Sequence, residues 1–351
     1  MLLAGLFFLR ESNLPPLADV DEAFADFLSR NSRRNEERAP ITLIEINNGS
    51  LKEHPWPWSP LDLALFFQAA NFFGSELVAT DEILVWNDEG TDERSQKLPQ
   101  YKTILRDNIL RSPKVLLGAK LGFPEDPQVI PPLQEVPLIR KFSGDLNPIP
   151  EFTAIEKQPE EGFRLSSVLG FTNLPGADRP LHSVPLLLRY RGEVVPSFVL
   201  QAFLMWEKLT PDDIAVEAGK RIVVGGQFDI PIDDRGRMRV DFGVPRTRCG
   251  FDDLVLAHAQ VDADRAPPVP PETFQGKLLL LSRTDARAAQ LPLAAGRRGS
   301  AGEFFSAAIA TLQARSFIRR VPPSFDWAVI AIATVATLAL PRWRRGRTFA
   351  V

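Results

Sequence analysis

Near the start of the chain, an apolar run typical of a strand is followed by a segment typical of a helix. The run ITLIEI at 41–46 is apolar and rich in β-branched residues, which predicts a buried strand. A segment of helical composition then covers 61–73, with a capping box starting at Ser59 and a terminating glycine at Gly74. The run ELVAT at 76–80 predicts a second strand. Strand, helix and strand at this spacing indicate a βαβ unit with parallel strands.

Further segments typical of strands and of helices follow as far as residue 317. Helices are predicted over 196–209 and 300–317, the second with a capping box formed by Ser300 and Glu303. The alternating segment FDIPIDDRGRMRVDFG at 228–243 predicts a β-hairpin. Further strands are predicted at 114–121, 183–192, 221–226 and 277–282. This order predicts an α/β fold with a mixed, largely parallel sheet flanked by helices.

The C-terminal segment contains a further apolar run. Residues 327–340 carry no charge, but these 14 residues are fewer than the about 20 that span a bilayer, so a buried helix is one interpretation. Tryptophans at both ends and four arginines after the run favour a transmembrane helix over 325–343. On that interpretation 344–351 form a short cytoplasmic tail, and the main domain is extracytoplasmic and attached to the cell membrane.

The N-terminal residues also suggest two interpretations. Residues 1–9 are apolar but too short to span a bilayer, and they lack the basic start and cleavage site of a signal peptide. They predict either a short helix packed on the domain or, over 1–14, the remnant of an N-terminal membrane helix. The stretch 17–33 repeats apolar residues at helical spacing and predicts a helix lying on the domain.

Composition and charge exclude several classes of function. The net charge of -3 gives no global basic field for nucleic acid. A single cysteine, Cys249, allows no internal disulfide, and the three histidines are far apart, so we expect neither a metal nor a cofactor. The chain has no Gly-x-Ser-x-Gly, no phosphate-binding loop and no His-Glu-x-x-His, so we expect no enzyme.

The segment ITLIEINNGSLKEHPWPWSPLDLALFFQAANFFGSELVATDEIL resembles the opening of the type-two CHASE domain, the extracellular sensory module of bacterial cyclases and kinases. That family opens with a strand ending in an acid, here Glu45, a Trp-Pro-Trp turn, here 56–58, a helix, and a strand ending in Asp, here Asp81. The later segments IPIDDRGRMRVDFG, FQGKLLLLS and AGEFFSAAIATLQARSFIRRVPP are similar to that family as well. The sequence departs from the family pattern in having Pro60 where an arginine is usual and Ser282 where a glycine is usual.

The resemblance implies a sensory domain over 15–322. Since the sequence shows no output domain, the implied function is signalling through a membrane or cytoplasmic partner, or through a homodimer, in response to an unknown small-molecule ligand. The lipid bilayer is the other expected partner, and nucleic acid is not one. A structural or scaffold subunit of a cell-envelope complex is the alternative, and a hydrolase of unrecognised type is a third hypothesis.

Polar residues at the carboxyl ends of the predicted strands are the candidate ligand-binding residues, because ligands of open α/β sheets bind there. The candidates are Glu45, Asn47, Asp81 and Ser282, together with Glu82, Arg283 and Thr284. Capping and loop roles are the alternative for all of them. Trp56 and Trp58 are candidates for ligand contact, although two tryptophans would also fix the turn by packing.

Two loops have weaker signals. The loop GRRGSAGE at 296–303 precedes a helix and predicts either an anion site or a capped loop. The segment DEILVWNDEGTDE at 81–93 holds six acids, which suggests either a calcium site or a solvated acidic loop.

Overall fold

A computed structural model describes residues 37–86, 93–123, 136–174 and 180–318 of the chain. The chain divides into a compact unit up to Phe317 and a second unit from Ile318 onward. The N-terminal segment 1–14, the predicted helix at 17–33 and the C-terminal segments at 325–343 and 344–351 all lie outside the described residues.

The main sheet contains seven strands in the order β15, β1, β16, β2, β3 and β6, with β7 also paired to β3. Neighbouring strands from β15 to β7 run parallel, and β6 is antiparallel to the end of β3. The predicted parallel pair is therefore separated by one strand, because β16 lies between β1 and β2. The strands of this sheet are β1 Ile41–Ile46, β2 Leu77–Thr80, β3 Val115–Gly122, β6 Ala154–Lys157, β7 Val168–Phe171, β15 Thr247–Gly250 and β16 Leu278–Arg283.

Seven α-helices lie within the described residues, two of them single turns. Their bounds are α1 Ser50–Glu53, α2 Pro60–Phe72, α3 Glu93–Arg111, α4 Glu161–Arg164, α5 Phe198–Trp206, α6 Phe251–Asp262 and α7 Ala301–Gln313. Both predicted capping boxes are present, since Ser59 and Asp62 close the start of α2 while Ser300 and Glu303 close the start of α7. Each box satisfies helix-end amides that would otherwise have no partner.

Helices cover both faces of the main sheet. Alternate residues of the strands point to opposite faces. Ile44 and Leu281 pack in a buried cluster with side chains of α2, α3 and α6. Leu43 and Leu280, one position earlier on the same two strands, pack with side chains of α5 and α7. The central strands β1, β16 and β2 are therefore buried on both faces, which explains why they are mostly apolar instead of alternating.

The prediction of a transmembrane helix is wrong for the fold that the structure describes. Within the described residues, no helix combines the length and the apolar composition needed to cross a bilayer. The segment at 325–343 that suggested it lies outside those residues. Its uncharged run of 14 residues would rise about 21 Å as a helix, which is less than a hydrocarbon core of about 30 Å.

Several small sheets form a β-rich lobe from strands that lie between β3 and β15 in the chain. They have the orders β13-β12-β11-β4, β10-β9-β5 and β14-β8, and the pair β17–β18 follows later in the chain. Their strands are β4 Lys141–Ser143, β5 Glu151–Phe152, β8 Ser183–Pro185, β9 Leu187–Tyr190, β10 Glu193–Pro196, β11 Ile214–Glu217, β12 Arg221–Val224, β13 Phe228–Pro231, β14 Arg237–Arg239, β17 Leu291–Pro292 and β18 Arg298–Gly299. Apolar residues of the lobe, including Ile222 and Ile230, join the cluster that contains α5 and α7.

The predicted hairpin at 228–243 forms its turn but not its strand pair. The Asp233 carboxylate accepts hydrogen bonds from the amides of Arg235 and Arg237 and closes the turn. Beyond it, β13 pairs with β12, whereas β14 pairs with β8. Alternating residues show that a segment is a strand, but they do not identify its partner.

Candidate functional site

Three of the predicted site residues lie side by side at the carboxyl edge of the main sheet. Glu45 is opposite Ser282 in the register of β1 and β16, and the pairing of β16 with β2 brings Asp81 next to Ser282. Each lies two positions after a residue that faces α5 and α7, namely Leu43, Leu280 and Ala79, so the three side chains lie on that face. We call β15, β1 and the residues after them the β1 half of this edge. We call β16, β2 and the residues after them, together with Trp56, which contacts Arg283, the β2 half.

The acids of the β1 half are paired with an arginine. Arg248 on β15 donates to both carboxylate oxygens of Glu45, at 3.1 and 2.6 Å, and also lies 2.6 Å from the Glu303 carboxylate. The hydrogen bond to Glu45 raises the pKa of Arg248. Next to it, Arg246 donates to Ser306 at 3.1 Å, and burial lowers the pKa of Arg246. These contacts join β15 and β1 to the start of α7.

In the β2 half, Asp81 has no arginine partner of this kind among the described residues. Asp81 accepts one hydrogen bond from Ser282 Oγ at 2.9 Å, and its other carboxylate oxygen, Oδ1, is buried without a hydrogen-bond partner. Burial and the neighbouring Glu82 raise the pKa of Asp81 to about 8. Burial also raises the pKa of Glu82, against the opposing effect of Arg283. The surroundings of Asp81 therefore favour its protonated form.

Arg283 and Asp285 form a second group in the β2 half. Asp285 is fully buried, and Arg283 donates to its two oxygens at 2.9 and 3.1 Å. Burial alone would raise the pKa of Asp285, but hydrogen bonds from Arg283 and the Arg287 amide hold it below its ordinary value. The Arg283 guanidinium lies 4.1 Å from the centre of the Trp56 ring, a cation–π contact. The arginine is therefore fixed between a buried acid and an indole.

The two tryptophans of the 54–60 turn have different environments. Trp58 is only 3% exposed, donates to the His54 carbonyl at 2.8 Å, and packs on Phe251 at a ring distance of 4.4 Å. Trp56 is 39% exposed. Trp58 therefore fixes the turn by packing against the start of α6, in the β1 half. Trp56 presents part of its ring to solvent in the β2 half.

Asn47, another strand-end candidate, has a capping role. Asn47 follows β1 and accepts hydrogen bonds from the amides of Gly49 and Ser50 at 2.7 and 3.2 Å. Its side-chain oxygen is therefore occupied by the start of α1, as the alternative interpretation of this residue expected. Its neighbour Asn48 accepts a hydrogen bond from the Ala286 amide at 3.2 Å and ties this turn to the loop after β16.

Three residues of the site have only a weak signal in the sequence, or none. Asp285 has a partner, Arg283, only two positions away, and an Arg-x-Asp spacing at a strand end could have indicated the pair. Arg248 could not be found in this way, because its partner Glu45 is 203 positions away. Glu303 was recognised as a capping residue, but its contact with Arg248 depends on the packing of α7 over β1.

The other candidates have structural roles or lie elsewhere. Glu303 accepts from the Ser300 amide at the end of the 296–303 loop, so a carboxylate already occupies that helix start. Of the six acids at 81–93, those within 87–92 lie outside the described residues. No group of metal-binding side chains is found in the part of the chain that the structure describes. Burial raises the pKa of the Cys249 thiol to about 12, which makes it a poor nucleophile.

No family model, no curated protein and no solved structure matches this chain. The resemblance to the type-two CHASE domain, and the signalling role that it implies, therefore depend on the quoted motifs alone and stay predictions.

Proposed function

We propose that this chain is a non-catalytic sensor-type module, which binds a small polar ligand at the β2 half of the carboxyl edge and signals through a partner protein. The main support is the fixed group of Trp56, Arg283 and Asp285. Trp56 is partly exposed, while Arg283 is held by a fully buried carboxylate and stacks on the indole. Side chains held in this way lose little conformational freedom on binding, so a ligand meets a preorganised surface.

Electrostatics favours a polar ligand. Glu82 lies next to the Arg283 main chain. The charge of Arg283 opposes the rise in the pKa of Glu82. A ligand at this edge would therefore meet both a cation and a carboxyl group around an aromatic ring. The β1 half offers less, because Arg248, Glu45 and Glu303 already satisfy one another.

A scaffold subunit is the second candidate, and the same group gives it some support. Tryptophan and arginine are the residues most often found in the energetic centres of protein interfaces. A partly exposed Trp56 with a stacked Arg283 fits that composition as well. The two candidates differ in whether the first binding event at this surface involves a small molecule or a protein.

A ligand-observed NMR screen of polar metabolites against the full-length protein tests the proposal. Trp56→Leu removes the exposed indole, and Phe72→Leu is a matched control because Phe72 is 45% exposed at the far end of α2. We expect at least one compound whose binding is lost in Trp56→Leu and kept in Phe72→Leu. If no compound depends on Trp56, the ligand-binding proposal is wrong. A protein partner that is lost in Trp56→Leu alone would then favour the scaffold.

A further inference from the structure

The environment of Asp81 favours an uncharged carboxyl group. Its Oδ1 atom is buried and has no hydrogen-bond partner, and its Oδ2 atom has only the hydroxyl of Ser282. On the far side of β2, a methyl group placed on Gly118 would lie 2.7 Å from the Asp81 carbonyl oxygen, so β3 packs closely there. An ionised carboxylate in such a position lacks the hydrogen bonds and the cation that a buried charge needs.

The charged groups around Asp81 belong to several elements, and they give it little compensation. On its own segment Glu82 adds a like charge. After β16, Arg283 is bound to Asp285 and stacked on Trp56. Beyond Ser282, the acids Glu45 of β1 and Glu303 of α7 share Arg248, which is therefore already engaged. From β3 the nearest residue is Gly118, which has no side chain.

Ser282 connects Asp81 to the start of α7. A methyl group placed on Gly302 would overlap the side chain of Ser282, so the first turn of α7 lies directly against that residue. α7 packs along β1 and β16 and is the last helix of the compact unit that ends at Phe317. A movement of the Ser282 side chain therefore reaches the last helix of this unit without any intermediate residue.

We propose that Asp81 is a proton switch, and that its ionisation displaces the first turn of α7 through Ser282. When the proton leaves, the new charge is repelled by Glu82 and has no partner at Oδ1, so the carboxylate must move or recruit donors. Among the described residues Ser282 is the only one whose side chain donates to Asp81, and it cannot move without disturbing Gly302. The inference concerns proton binding alone, so it can fail while the proposed ligand binding holds, and the reverse also applies.

NMR of the full-length protein between pH 5 and pH 10 tests the switch. The ¹³C signal of the Asp81 carboxyl should titrate with a midpoint near 8, and the amide signals of Ser282 and Gly302 should shift with the same midpoint. Asp81→Asn should abolish both amide shifts. Asp234→Asn, a change of the same chemistry at an exposed turn, should leave them unchanged.

Two further variants separate the proton site from its connection to α7. Glu82→Gln removes the like charge and should lower the midpoint of Asp81. Ser282→Ala keeps the contact of its β-carbon with Gly302 but removes the hydroxyl, so Asp81 should still titrate while the Gly302 shift falls by at least half. An Asp81 midpoint below pH 6, or a Gly302 shift that persists in Asp81→Asn, would overturn the proposal.

Discussion

Glu45 and Asp81 occupy equivalent positions on one face of the same sheet, two strands apart, with Ser282 between them. In the β1 half, Arg248 pairs with Glu45, and Trp58 is buried against Phe251. In the β2 half, Asp81 keeps an unpartnered oxygen, and Trp56 remains partly exposed.

The difference between the halves separates residues that stabilise the fold from residues that are available for function. In the β1 half, both carboxylate oxygens of Glu45 already accept hydrogen bonds from Arg248. An uncompensated acid lowers stability, and ionisable groups with strongly shifted pKa values concentrate at functional sites. The β2 half is therefore where we place the function, and changes in each half should have different consequences.

The largest expected effect is on the packing of the turn. Trp58→Ala should lower the free energy of unfolding by about 3–5 kcal/mol, because it removes a buried indole from Phe251. Trp56→Ala should cost only about 1 kcal/mol, since its ring is partly in water and its main contact is a cation–π interaction. Urea denaturation of both variants measures the difference. Equal losses would mean that the two halves are packed alike.

The next effect has the opposite sign, because replacing Asp81 should raise the free energy of unfolding at high pH. Its pKa rises from 3.8 to about 8 on folding, so the unfolded chain loses this proton first, and the free energy of unfolding falls as the pH rises between those values. Asp81→Asn cannot ionise and should be more stable than wild type at pH 9 by several kcal/mol, because each tenfold change in proton affinity is worth about 1.4 kcal/mol. The advantage should disappear towards pH 4.

Urea denaturation of wild type, Asp81→Asn and the control Asp234→Asn at pH 5, 7 and 9 measures this slope. A wild-type protein whose stability depends on pH as Asp81→Asn does would show that Asp81 ionises normally. The β2 half would then be as well compensated as the β1 half.

The smallest effect is expected from the paired arginine. Arg248→Gln should cost about 0.2–1 kcal/mol, because Arg248 is partly exposed and solvent weakens its attraction to Glu45 and Glu303. The loss should shrink in 1 M NaCl, where exposed charges are screened. Thermal unfolding at low and high salt measures it. A loss above 2 kcal/mol would show that the β1 half depends on this network more than its exposure indicates.

Local signals in the sequence identified many elements of the fold but not their partners. The capping boxes at Ser59 and Ser300 placed the starts of α2 and α7 correctly, because both partners of each box lie within one turn. The insertion of β16 between β1 and β2 could not be predicted, since it joins segments more than 200 positions apart. The predicted hairpin at 228–243 was wrong for another reason, since its two strands pair with β12 and β8 and not with each other.

The candidate site was predictable only in outline. The rule that ligands bind at carboxyl strand ends selected Glu45, Ser282 and Asp81, which do meet. It could not separate the paired acid from the unpaired one, because that difference depends on Arg248 from a strand late in the chain. The sequence also could not show which tryptophan is buried, since Trp56 and Trp58 have similar neighbours along the chain.

The position of β1 also has a consequence during synthesis of the chain. β1 is almost entirely apolar and buried, and its two neighbours, β15 and β16, begin at residues 247 and 278. A ribosome that adds about 5–20 residues per second needs roughly 10–50 s to make them after β1. Throughout that interval both edges of β1 lack their native partners, so we expect the nascent chain to bind chaperones that recognise extended apolar segments.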